Sequence, residues 1–414
     1  MTWKVRRPRR LSHNLPPTGQ LRNNSPCACG LAEKALSMVT GQILRQTKQK
    51  KPPLRQVSEP QSENAVRGPR NSFIEDLETN LRLLNKHLPA PDLTREDMTL
   101  GRASPTAIAL VYLRERVRPE LVDEVKRRLD KISVVAVLES GYIEHFIQDS
   151  PASPFPQVMV TERPDRVSIA LLEGRVAILA DNTPFVLVVP GELLSLLQAA
   201  DDYYNKRHFN TLVKLLRYLA LVASLMLPSL YIAITAFHQD MIPSELLINI
   251  AAARQGVPFP AILEAVFMEV TFESLREAGI RLPTVVGQTV SIVGALVIGQ
   301  AAIQAGLVSP LMVIIVAFTG IASFTVPQYP LGQAVRVLRF PLMLTAALLG
   351  LFGVMLGLLA ILLHLSALRT FGIPYLSPLS PLQPTRLAAN ITLPPQHLDK
   401  TTPSEQDAVH PDQA

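Results

Sequence analysis

The sequence predicts an α+β domain followed by an all-α integral membrane domain of about five membrane helices, and three observations carry that reading. Apolar residues make up 48% of the 414, and they crowd into the second half. Several windows there approach or exceed the roughly 20 residues that span the hydrocarbon of a bilayer. Ahead of them, from about Val66 to Asp201, short helical and strand patterns alternate, the signature of a compact domain that uses both element types. Charge is also uneven: the first 55 residues hold twelve basic groups and a single acid, Glu33, leaving 28 basic and 33 acidic groups in the other 359. The net charge of +6 therefore belongs to the leading segment and not to the folded body.

That distribution excludes several classes of function. Nucleic-acid binding by the folded part has no electrostatic support. Cys27 and Cys29 form a lone C-x-C, short of the second ligand pair that a zinc site needs, so no metal is expected. The stretch Met1 to Pro17 is basic without an apolar core, unlike a secretory signal, and the domain ahead of the first span is expected in the cytoplasm.

Taken in order, residues 1–65 mix Arg, Lys, Pro, Gln, Ser and Asn and are expected to be disordered, because they cannot bury enough apolar surface to offset ordering entropy. Residues 66–205 form the expected α+β domain. Ser72 with Glu75 reads as a capping box for a helix carrying Phe73, Leu77, Leu81, Leu84 and Leu88, stopped by Pro89. Thr106 to Leu113 is a β-rich apolar run. Pro119 occupies a first helical position, with acids Glu120, Asp123 and Glu124 leading and Lys126, Arg127 and Arg128 following, the charge order that suits the helix dipole. Arg175 to Leu179 and Phe185 to Val189 read as strands joined by a turn at 180–183.

The membrane domain is expected over 206–376, with spans at about 215–237, 258–279, 285–307, 311–326 and 340–365 and a disordered tail over 377–414. Lys206, Arg207, Lys214 and Arg217 precede the first span and place the N-terminus inside. Five crossings put Arg276, Arg281, Arg336 and Arg339 inside as well and the C-terminus outside. A re-entrant second segment gives four crossings, with both termini inside and Arg336 and Arg339 outside.

Candidate functional residues lie in the membrane half. Glu264, Glu269 and Glu273 interrupt an apolar stretch, and a carboxylate at bilayer depth is costly unless it meets water or a cation such as Arg276. They are candidates for a pore or a subunit interface; the blander reading is a helix lying on the membrane surface with its acids in water. Gln288, Gln300 and Gln304 need hydrogen-bond partners from a neighbouring helix or a wet pore. Gly287, Ser291, Ala295 and Gly299 recur at i+4 and make a smooth strip for helix packing, as do Gly353 and Gly357 in the last span. Pro228 falls inside the first span and is expected to kink it. No enzyme signature is present, no H-E-x-x-H, G-x-S-x-G or G-x-x-x-x-G-K-[ST], so neither catalysis nor a cofactor is expected.

Several long strings carry a family resemblance. Val66 to Arg70, Phe73 to Leu77, Ser153 to Gln157, Thr161 to Val167 and Leu171 to Ala177 resemble the soluble domain of the A subunit of GerA-type spore germinant receptors. Arg276 to Pro283, Gly287 to Ala302 and Ala305 to Pro310 resemble its membrane half, and the likeness covers about 62–382. The resemblance implies a protein of the endospore inner membrane that works with a permease-like B subunit and a lipoprotein C subunit. It also implies oligomerisation into a cation channel opened by germinant. Stage V sporulation paralogues share the fold, so a non-conducting accessory or scaffold role is the nearest alternative. A secondary transporter ranks last, because five unequal spans show no internal repeat.

Overall fold

The computed structural model describes residues 59–60, 62–63, 65–282, 297–384, 387 and 390. The expectations for 1–58, for Gly287, Gln288, Ser291 and Ala295, and for the tail beyond 390 lie outside the described residues.

The first half is built on a five-stranded antiparallel sheet, ordered β1-β2-β4-β5-β3: β1 Leu93–Leu100, β2 Thr106–Leu113, β3 Met159–Thr161, β4 Val176–Ala180 and β5 Val186–Val189. Helices cover both faces. Along β2 the odd residues Ala109, Val111 and Leu113 join a core with α1 (Leu77–His87) and α4 (Pro164–Leu172). The even residues Ile108, Leu110 and Tyr112 join a second core with α2 (Pro119–Asp130) and α3 (Ser140–Ile147). The period of two along a strand thus feeds two separate apolar layers, which is why the central strand is apolar throughout.

Helix α1 starts later than the capping-box reading expects. Its N-cap is Asp76, whose carboxylate accepts from Thr79 N at 2.9 Å. Ser72 is not the cap because Asn80 holds Ile74 through two hydrogen bonds, and Phe73 N donates to the Glu162 carbonyl, keeping 72–76 off the helix. Pro119 does open α2, and the turn after β4 places Asn182 at φ 67°.

The second half contains α6 (Arg207–Phe237), α7 (Ser244–Arg254), α8 (Ala261–Arg281), a helical stretch over 297–304, α9 (Pro310–Phe324) and α10 (Tyr329–Ala367), after the short α5 (Leu193–Leu196). Of the described helices, α6 and α10 are long and apolar enough to cross a membrane, and α9 is shorter, so the expectation of five such helices is not met among the described residues. Helix α6 contains Pro228, the residue at which a kink is expected.

Helix α10 is interrupted at Gly350, at φ 62° and ψ −141°. In a straight helix residues 342 and 357 would stand about 22 Å apart. A Cβ added to Gly357 would nevertheless lie 2.5 Å from Leu342 Cδ1, and one added to Gly353 would overlap the Thr345 carbonyl oxygen. The chain therefore doubles back, and the single span expected over 340–365 is corrected to two antiparallel limbs, 329–349 and 351–367. The glycines allow their close approach.

The tip of this hairpin meets Phe237 and His238 at the far end of α6, while both of its feet stand on the α+β domain. Gln328 donates to Glu63 at 3.2 Å, and His364 hydrogen-bonds Ser153 at 2.8 Å. The chain after α10 returns to the domain as well. Leu193 N donates to the Tyr375 carbonyl, Phe371 N donates to Asp149 at 2.6 Å, and Arg128 lies 4.2 Å from the Phe371 ring centre. The segment after α10 thus packs on the α+β domain. Residues 377–382 form turns, with Ser377 buried, where disorder was expected from 377.

Candidate functional site

Helix α8 carries the three predicted carboxylates, and each has an arginine. Glu264 is 1% exposed, accepts from Arg254 at 3.1 Å and from the Ser309 backbone N–H at 2.9 Å, and so ties α7, α8 and the start of α9 together. Glu269, also 1% exposed, takes a 2.5 Å hydrogen bond from Arg339 of α10, itself 2% exposed. Glu273 pairs with Arg276 at 2.9 Å and with Arg336 at 3.4 Å. A buried carboxylate is tolerated when a guanidinium compensates its lost hydration. Arg336 and Arg339 are three residues apart on one face of α10, which delivers both to α8.

The two glutamines of the described stretch lie elsewhere. Gln300 and Gln304, one helical turn apart, are both exposed, while Gly299 is buried with Val313 of α9 nearby. The structure brings Glu269 and Glu273 together with Arg336 and Arg339, sets Glu264 at the other end of α8, and keeps the glutamines out of this network.

Below the carboxylates, where the two halves meet, lies a cavity of about 660 Å³. Its wall includes Arg166 of α4, Arg217 of α6, Arg276 of α8 and Arg336 of α10, with Glu63 beside them. Arg166 is held by Glu63 at 3.0 Å and by the Gln198 carbonyl at 3.0 Å; Arg217 is held by Asp202 at 2.6 Å and the Leu197 carbonyl at 2.7 Å. Glu63 also accepts from Thr161 at 2.7 Å and from Gln328 at 3.2 Å, so it acts as a strap between the domain and the start of α10. Arg163 fastens the same strap. It is 1% exposed, grips Asp165 through two nitrogens at 3.0 and 2.7 Å, and donates to the Pro69 carbonyl. Burial and the Asp165 carboxylate, which accepts from the Tyr204 hydroxyl at 2.8 Å, push that hydroxyl well above the ordinary tyrosine range.

Sequence reasoning did not single out Glu63, Arg163, Arg166, Arg217 or Asp202 as a group. The available signal was the density of charge in Glu162 to Arg166, where four of five residues are ionisable, next to the apolar run that follows.

Residues 36–405 match the family model of the Bacillus/Clostridium GerA spore germination protein. Among similar proteins, the uncharacterised membrane protein YfkQ of Bacillus subtilis is 50% identical over 80% of this chain and 64% of its own length. Spore germination protein KA of the same organism is 49% identical over 79% of this chain and 60% of its own, and spore germination protein A1 is 44% identical over 86% and 72%. The chain thus spans less than two thirds of the length of the first two. The crystal structure of the N-terminal domain of the A subunit of the Bacillus megaterium germinant receptor GerK3 is 42% identical over 28% of this chain and 94% of that one, with a TM-score of 0.24. With the family model matched along nearly the whole of both halves, the chain belongs to the GerA family of spore germination proteins.

Proposed function

We propose that this protein is the A subunit of a nutrient germinant receptor in the endospore inner membrane, with its α+β domain in the cytoplasm. It acts beside a permease-like B subunit and a lipoprotein C subunit and oligomerises into a cation channel that opens on germinant. Family membership supports the receptor role. The clustering of Arg217, Arg276, Arg336 and Arg339 toward the α+β domain supports the cytoplasmic side, by the positive-inside tendency.

The observation that carries the oligomeric channel is the outward face of the 297–304 stretch. Gln300 and Gln304 are exposed in an otherwise apolar helix, and in hydrocarbon two amides would lack hydrogen-bond partners. They are satisfied if that face meets water or another copy of the chain. Glu264, Glu269 and Glu273 serve the channel as anchors that hold α8 to its neighbours, since each is occupied by an arginine. Spores carrying Gln300→Leu with Gln304→Leu are expected to assemble the protein at normal abundance and to release ions more slowly after nutrient. Normal ion release from the double variant refutes the pore-facing assignment.

A further inference from the structure

We propose that the cavity at the junction of the two halves is a binding site for a phosphate-bearing monoanion, held by Arg276 and Arg336. Its motive is a carboxylate that two buried guanidiniums must share. Four guanidinium groups line the wall: Arg166, Arg217, Arg276 and Arg336. Among the described residues their ion-pair partners are three, Glu63 on Arg166, Asp202 on Arg217, and Glu273 shared between Arg276 and Arg336. Arg276 and Arg336 therefore share one carboxylate, with side chains 12% and 10% exposed, where incomplete compensation of a cation is costly.

The unused hydrogen-bond donors point to the same place. Arg276 spends Nη2 on Glu273, while its Nε and Nη1 are buried with no hydrogen-bond partner among the described residues. Arg336 reaches Glu273 through Nε and lies 5.6 Å from the centre of the Tyr329 ring; no hydrogen bond to its Nη atoms is found among the described residues. Arg166 and Arg217, by contrast, each donate to a carboxylate and to a backbone carbonyl. Arg166 and Arg217 are thus tied to protein partners, whereas Arg276 and Arg336 each keep nitrogens without a hydrogen-bond partner among the described residues. Ser323 and Thr325 stand on the same wall, but their hydroxyls are turned to backbone carbonyls of their own helix.

A planar guanidinium with free edges matches the oxygens of a phosphate or phosphodiester, and two of them from different helices can share one such group. The volume, about 660 Å³, suits a small ligand or a lipid headgroup. Two guanidiniums that share one carboxylate can take one further negative charge between them, the ionic state of a phosphodiester. Occupancy would join α8, α10 and the α+β domain through one ligand. The inference does not depend on the channel, and it survives failure of the glutamine test above.

The test uses the purified full chain in neutral detergent with phosphatidylcholine, probed separately with inorganic phosphate and with phosphatidylglycerol, and read by native mass spectrometry and thermal shift. The wild type is expected to bind one probe saturably. Saturation by phosphatidylglycerol alone assigns a lipid headgroup, and saturation by phosphate identifies a soluble anion. Arg276→Gln is expected to weaken binding about tenfold or more, as befits loss of charge-assisted hydrogen bonds. Ile280→Glu, at a cavity-lining position 58% exposed, introduces a carboxylate without touching the core and is expected to do the same. Arg281→Gln, 78% exposed and paired with Glu277 away from the cavity, is expected to bind as the wild type does. No saturable binding of either probe, or undiminished binding by both Arg276→Gln and Ile280→Glu, overturns the proposal.

Discussion

Removing one member of the Glu269–Arg339 pair is expected to damage the helical half more than removing both. The two side chains are 1% and 2% exposed and meet through one 2.5 Å hydrogen bond. Glu269 Oε1 and Arg339 Nε and Nη2 have no hydrogen-bond partners among the described residues, so the pair is compensated in charge but incompletely bonded. Glu269→Leu leaves a buried guanidinium without its carboxylate, a change that typically costs about 3–5 kcal/mol, and Arg339→Met leaves the converse. Replacing both with apolar residues of similar size removes the desolvation cost along with the attraction and is expected to stay within about 1 kcal/mol of the wild type. With roughly 2–4 °C of melting temperature per kcal/mol for a unit of this size, each single variant should melt roughly 6–20 °C lower and the double variant within roughly 4 °C of the wild type. Thermal unfolding of the full chain in detergent, followed by the monodisperse chromatographic peak, measures all four. Additive losses in the double variant refute the pairing.

Other outcomes follow from the same geometry. Gly350→Ala forces a side chain to φ 62° and places its Cβ 3.0 Å from Phe237 and His238, so a loss of about 1–3 kcal/mol is expected in the same melting assay. Gly256→Ala, whose methyl meets nothing within 4 Å, is the control and should melt as the wild type does. Tyr375→Ala empties a fully buried position beside Phe155 and should cost about 3–5 kcal/mol, raising protease sensitivity within residues 66–205 and not only near the C-terminus. Glu144 has its carboxyl pushed up to about 7 by burial and then by the neighbouring Glu139. Its protonated form therefore favours the fold below about 4.5, and that contribution fades as pH rises through 7. The melting temperature should show a downward component over this window that Glu144→Gln removes.

Much of the α+β domain was readable because its strands are simple. Thr106 to Leu113 combines β-branched residues with apolar character on both faces, and Pro119 marks a helix start by chemistry that does not depend on context. Strand β1 escaped notice because Leu93–Leu100 sits at the sheet edge and carries Arg95, Glu96 and Asp97, composition that usually reads as a loop. The carboxylates of α8 were conspicuous by their cost in an apolar stretch. Their partners were less so, since Arg254, Arg336 and Arg339 come from other helices and Arg339 is 70 residues from Glu269. Both Arg336 and Arg339 looked like flanking charges of a span. The turn at Gly350 was hidden because a glycine inside a long apolar run resembles a packing contact until its φ is known.

The return of residues 368–377 to the α+β domain constrains the order of synthesis. Tyr375 is fully buried in the same apolar layer as Leu77, Val111 and Val188, yet it leaves the ribosome almost two hundred residues after β5. A nascent chain that has completed the five-stranded sheet still lacks part of that layer, and it gains the missing part only after the hairpin of α10 has been inserted and folded back. Contacts of such sequence separation close late. Completion of the domain is thereby coupled to folding of the helices, so a chain stalled within α10 keeps an unfinished apolar layer.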